Sequence, residues 1–154
     1  MYLVTDGYEA YNALAKAPSI LGHAACWAHV RRKFVEATHG RKNTAAAHQM
    51  VALIGKLYQI ERAAKDKTPA QRKAIRHEQA VSILDKIKGW LDQKEVQVLP
   101  KSPLGEAIAY TLGLWPKLVT YLEDGQIEID NNKAENAIRP FVIGRKNFLF
   151  SGSP

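Results

Sequence analysis

Two carboxylates stand where a side chain can do chemistry. Asp6 follows the apolar run Met1-Tyr2-Leu3-Val4-Thr5 and precedes Gly7. Glu135 lies in Asp130-Asn131-Asn132-Lys133-Ala134-Glu135-Asn136-Ala137-Ile138-Arg139-Pro140, among amides, small residues and bases. An acid at the carboxyl end of a buried strand occupies the place where open α/β sheets hold their ligands. An acid on a short helix beside Asn131, Asn132 and Asn136 can be held by amide donors and offers hard oxygen atoms to Mg2+. Such a pair, far apart in sequence, is how a metal-dependent nuclease assembles its site. Each acid also has a plainer role open to it. Asp6 can cap the helix that follows, and Glu135 can pair with Arg139 one turn on.

Two clusters of cations each lie close to a candidate acid or a strand end. Arg31, Arg32 and Lys33 follow one motif, and Arg139, Arg145 and Lys146 follow the other. A basic cluster is most simply a solvated face. If the two clusters converge they form a phosphate-binding lining. Phe141, Phe148 and Phe150 interleave with the second cluster, as core residues or as surfaces for base stacking. Cys26-Trp27-Ala28-His29 has the spacing of half a zinc site, but the chain has a single cysteine and a structural site needs four ligands. Cys26 and Trp27 therefore read as buried residues at a strand end. His29 opens the next helix, with a place beside the site as its functional alternative.

Composition sets the frame. At 154 residues, with 46% apolar and 24% charged residues, the chain has the material for one ordinary globular domain. A net charge of +7 favours a polyanionic partner, usually nucleic acid. No apolar run is long enough for a membrane span, the N-terminus lacks the pattern of a secretion signal, and one cysteine makes no internal disulfide. The expected address is the cytoplasm. No glycine-rich nucleotide loop, G-x-S-x-G or H-E-x-x-H is present, which removes the P-loop, hydrolase-elbow and zincin chemistries.

The elements that must position these residues begin with a short strand over residues 1–5. Asp6 then caps a helix, with Glu9 three residues on, that stops before Pro18. Residues 20–26 suit a second buried strand, so the start reads as a parallel strand–helix–strand unit. From Trp27 the pattern is helical. Residues 28–38 form one helix. Met50, Leu53, Ile54, Leu57 and Ile60 mark another over residues 45–65. Thr68-Pro69-Ala70-Gln71 is a strong start signal for a helix running through Leu91. Ser102-Pro103 starts a further helix reaching Leu122, with a kink or break expected at Pro116. A turn at Glu123-Asp124-Gly125, an extended Ile127-Glu128-Ile129 and a cap at Asp130 or Asn131 lead into the helix of Glu135. The fold class expected is α/β with few parallel strands and mostly helical overall.

Thr5-Asp6-Gly7-Tyr8, Cys26-Trp27-Ala28-His29-Val30-Arg31-Arg32-Lys33-Phe34, Leu99-Pro100-Lys101-Ser102-Pro103-Leu104-Gly105, and Ile129-Asp130 through Pro140 continued by Gly144-Arg145-Lys146-Asn147 together resemble the transposase of the bacterial insertion sequence 66 family. The motifs keep their order across essentially the whole chain. The resemblance implies a DDE transposase with a partial ribonuclease-H-like core. Residues 1–35 would be the second part of that core, residues 36–125 a large helical insertion, and residues 126–154 the return to the core with the glutamate-bearing helix. Asp6 matches the second acid of the catalytic triad and Glu135 the third. Both would be ligands of the two Mg2+ (or Mn2+) ions that serve DNA strand cleavage and transfer in the intact enzyme. Cys26 and His29 match a C-x-x-H of the family.

The resemblance places the first catalytic Asp upstream on an earlier strand, and no acid precedes Asp6 here. This chain alone is therefore expected to be a catalytic-domain fragment that does not cut DNA. The expected partners are transposon ends, target DNA and further copies of the chain, in a bacterial cytoplasm at the nucleoid. The alternatives are a non-catalytic DNA-binding or assembly module and a helical interaction domain.

Overall fold

The computed structural model describes residues 2–5, 22–39 and 44–130. Two short strands, β1 (Tyr2–Thr5) and β2 (Gly22–Ala25), pair in parallel, with Thr5 opposite Ala25 at the shared end. The parallel pairing expected from the sequence is thus present. The helix expected after Asp6 lies outside the described residues. Most of the other described residues are helical, so a mostly helical class fits.

α1 (Trp27–Glu36) starts directly after β2, with only Cys26 between them. α2 (Ala45–Ala63) follows. The expected stripe forms its buried face: Met50, Ile54 and Leu57 are fully buried and Ile60 nearly so. α3 (Pro69–Ile75) opens on Thr68, whose side chain accepts from the Gln71 backbone N–H while the Gln71 side chain accepts from the Thr68 N–H. This reciprocal cap satisfies two donors that a helix start otherwise leaves unpaired.

The run continues without a break through a π turn (Arg76–Ala80) into α4 (Val81–Glu95). α5 (Pro103–Gly113) is capped by Ser102, whose Oγ accepts from the Gly105 N–H at 3.0 Å. Gly105 lies so close to the Leu99 carbonyl that a side chain would collide with backbone. That contact gives a packing reason for glycine in the Leu99–Gly105 motif. The expected interruption near Pro116 is a break: the helix ends at Gly113, and a short α6 (Trp115–Leu118) and a 3-10 turn (Thr120–Leu122) follow. Proline has no N–H to donate and sits without penalty in the first turn of α6.

α1 packs against α2 and α5, and α4 packs against both of those helices. Trp27, Phe34, Met50, Ile54, Leu57, Ile87, Leu91, Ile108 and Leu118 share one core with Ala24 and Ala25 of β2. Complete burial of such an aliphatic or aromatic side chain contributes about 1.5–3 kcal/mol. Trp27 also meets Trp115 edge-on at 6.0 Å and donates its indole N–H to the Leu118 carbonyl at 2.9 Å. The strand end and the helical block therefore share one hydrophobic core. Among the described residues no helix is long and apolar enough to cross a membrane.

Candidate nucleic-acid interface

The segment that leads into the Glu135 motif is held from several directions. Arg76 donates to the carbonyls of Tyr121 at 2.7 Å and Asp124 at 3.2 Å, and Arg72 donates to that of Gly125 at 2.7 Å. Gly125 abuts the backbone of Pro69, where a side chain would not fit. The Asp124 side chain accepts from the Gln126 N–H and its carbonyl from the Ile127 N–H. Ile127 and Ile129 are buried with Glu128 exposed between them, the alternation of an extended segment, although no strand ladder forms there.

Two contacts then hold the end of this segment, one from the C-x-x-H motif and one from α2. The Trp27 backbone N–H donates to the Ile129 carbonyl at 3.1 Å. The Tyr58 hydroxyl donates to Asp130 Oδ2 at 2.7 Å. Trp27 follows β2, whose last residue faces Thr5, the residue before Asp6 in sequence. The described ends of three of the sequence motifs thus meet at one end of the two-stranded sheet.

Beside this junction α1 and α2 border an open groove of about 600 Å³. On α1 its wall is Ala28, Arg31, Arg32 and Val35; on α2 it is Gly55, Tyr58, Gln59 and Arg62. Each set has the spacing i, i+3, i+4, i+7, which is one face of a helix. Arg31, Arg32 and Arg62 are exposed, and no carboxylate lines the groove. The ion pairs among the described residues, Arg76–Glu61 and Lys88–Asp92, use none of these three.

Burial raises the Tyr58 hydroxyl pKa above its ordinary value near 10, and the hydrogen bond to Asp130 and that residue's charge raise it further. Tyr121 moves the same way through burial and the charge of Glu61, with Arg76 opposing. Below about pH 10 both phenols are neutral in folded and unfolded chains alike. Above it the unfolded chain loses phenolic protons that the folded chain keeps, so stability falls as pH rises. The expected slope is at most about 1.4 kcal/mol per pH unit for each tyrosine. Tyr58→Phe should lower stability at neutral pH by about 1 kcal/mol and make the alkaline fall shallower. Urea midpoints at neutral pH and above the phenol pKa measure both effects; an unchanged alkaline slope would contradict a buried neutral phenol.

The sequence-derived site residues divide as follows. Arg31 and Arg32 share the groove. Lys33, also exposed, points elsewhere, its Nζ 4.6 Å from the centre of the Tyr110 ring. Cys26 is buried at 1% exposure and His29 is half-buried. Among the described residues no group of three or more His, Cys, Asp or Glu side chains forms a metal-binding cluster. Asp6, Asn131, Asn132, Glu135, Asn136, Arg139, Arg145 and Lys146 lie outside the described residues. Arg62, Tyr58 and Gln59 were not among the residues read from sequence. Their spacing from Gly55 was visible there; the helix they would face was not.

The family model described as Transposase IS66 family matches residues 1–154, the whole chain. A curated protein of Sinorhizobium fredii, "Uncharacterized protein y4qI", is 39% identical over 157 residues, covering 98% of this chain and 29% of its own length. A second from the same organism, "Uncharacterized protein y4jD", is 33% identical over 156 residues, with 98% and 30% covered. The chain spans less than a third of the length of these curated relatives. No solved structure matches it.

Proposed function

This chain belongs to the IS66 transposase family, and from that membership we propose that it is part of the catalytic domain of a DDE transposase, which in the intact enzyme cuts DNA strands and joins them to a target. The observation that carries this reading is the junction of motifs. Trp27 and Tyr58 hold Ile129 and Asp130 at the end of β2, beside a groove lined by arginines. In this reading β1 and β2 are two parallel strands of a ribonuclease-H-like core, residues 36–125 are a helical insertion, and residues 126–154 return to the core.

Asp6 and Glu135 are the proposed metal ligands. Their carboxylates are the hard oxygen donors that Mg2+ or Mn2+ prefers, whereas the softer Cys26 thiol is shut inside the core. Asp6 and Glu135 would hold two such ions, which would supply activation of a water or a DNA 3′-hydroxyl and stabilisation of the leaving oxygen. The protein's own part is positional. In sequence Asp6 follows directly on β1. The clamp of Arg72, Arg76, Trp27 and Tyr58 fixes the approach to Glu135. Arg31 and Arg32, with Arg139, Arg145 and Lys146, neutralise DNA phosphates. Transposon ends, target DNA and further copies of the enzyme are the proposed partners, at the bacterial nucleoid.

The test is a cleavage assay with the full-length transposase, Mg2+ and a duplex carrying the element's end. The expected product is a nick leaving a 3′-hydroxyl at the element boundary. Bound DNA that is never nicked would contradict the reading and favour a DNA-binding or assembly module.

A further inference from the structure

We propose that the groove between α1 and α2 binds the sugar–phosphate backbone of DNA, with Arg62 and Gln59 of α2 forming one wall and Arg31 and Arg32 of α1 the other. The proposal rests on the transposase reading for the identity of the polymer. It adds that the helical block contributes DNA contacts of its own and does more than space the elements of the core.

The two helix faces that border the groove match in spacing. Three arginines line one groove from both sides, with no carboxylate residue in its lining to balance them. Like charges so arranged repel, and an anion between them relieves the repulsion. The Asp130 carboxylate accepts from the hydroxyl of Tyr58 in the groove wall at 2.7 Å. Arginine's planar fork matches phosphate oxygens in pairs, and Gln59 adds neutral donors suited to phosphate or sugar.

Room is provided by Ala28 and Gly55, which take the first position of each face. At Gly55 no heavy atom lies within 4 Å of where a Cβ would stand, so the glycine leaves open space. Glycine in a helix interior costs about 1 kcal/mol relative to alanine. An open groove is a physical return for that cost.

The experiment is an anisotropy titration of this chain with a short mixed-sequence DNA duplex over a series of KCl concentrations. Releasing one counterion contributes a factor of about 0.1 raised to −0.9, or roughly eightfold, at 0.1 M salt. Arg62→Ala should therefore bind about eightfold more weakly at that salt and reduce the slope of log K against log salt by about 0.9. Lys86→Ala removes the same charge from an exposed site on α4 and should leave both quantities within twofold, roughly the level of a non-contacting position. Gly55→Glu favours the helix and sets a carboxylate in the groove; binding should fall by about tenfold or more.

Equal losses for Arg62→Ala and Lys86→Ala would overturn the groove while leaving DNA binding in place. Tight binding unaffected by Gly55→Glu would overturn it as well. An arm with sodium phosphate at matched ionic strength separates the sources of phosphate. Displacement far stronger than by chloride would assign the groove to a small anion and overturn the polymer assignment. Absence of any DNA binding at low salt would overturn the groove and the DNA-binding part of the transposase reading together. Groove-dependent binding with no cleavage by the full-length enzyme would sustain the groove and contradict the catalytic reading.

Discussion

Asp6→Asn should abolish DNA cleavage by the full-length transposase, an expected loss of about a thousandfold or more, while DNA binding is retained. The size follows from the role proposed for the carboxylate. Metal ions at such a site supply several kcal/mol of transition-state stabilisation, and each 1.36 kcal/mol is worth about tenfold in rate. Asparagine has nearly the same shape and lacks the charge. It is also as good a helix cap as aspartate, so the plainer role open to Asp6 survives the substitution. Strand cleavage and DNA anisotropy measured on the same preparation separate the two roles. Cleavage at the wild-type rate would leave Asp6 as a cap and remove it from the site.

The second large effect is on stability. Arg76→Ala should destabilise the chain by about 3–5 kcal/mol, the cost of removing one partner from a buried ion pair. Arg76 is fully buried, its Nε and Nη2 on the two oxygens of Glu61 at 3.0 and 2.7 Å and its Nη1 on two backbone carbonyls. Its guanidinium also lies 4.8 Å from the centre of the Tyr121 ring. Alanine would leave the Glu61 carboxylate uncompensated and take the side-chain donor from the Tyr121 carbonyl, while the Asp124 carbonyl keeps the Ile127 N–H. A domain's whole stability is about 5–15 kcal/mol, so this loss is a large fraction of it.

Replacing both partners with apolar residues often costs little, but here the double substitution should stay destabilising because the Tyr121 carbonyl also loses the Arg76 donor. Lys88→Ala, in the exposed Lys88–Asp92 pair, should cost only about 0.2–0.5 kcal/mol. Urea unfolding of the three variants makes the comparison. A loss at Arg76 no larger than that at Lys88 would contradict the clamp.

These two side chains also show what a sequence discloses and what it withholds. Local signals were legible: the Thr68–Gln71 box, the Ser102 cap, the Met50–Ile60 stripe and the break near Pro116 each depend on residues a turn or two apart. Arg76 was not legible. It lies in a basic stretch with Arg72 and Lys73 that reads as solvated, and the π turn shifts the face it presents by one residue. Its partners are 15 to 48 residues away.

The groove was half legible. Arg31 and Arg32 stood out as a cluster, whereas Arg62 is an ordinary helix arginine until α2 is known to face α1. The Tyr58–Asp130 bond spans 72 residues, and nothing local encodes it. The proposed catalytic acids, Asp6 and Glu135, stand out by their settings and by the family motifs, and both lie outside the described residues.

The central claim is that Asp6 and Glu135 belong to one metal site, and the distance between their carboxylates in a crystal structure of the full-length transposase with Mg2+ tests it most directly. Each ligand oxygen lies about 2.1 Å from its ion, and paired ions stand about 3.5–4 Å apart. Carboxylate oxygens separated by about 3–8 Å, with Mg2+ between them, are the result expected from that geometry. A separation beyond about 12 Å, or ions held by other residues, would contradict the claim.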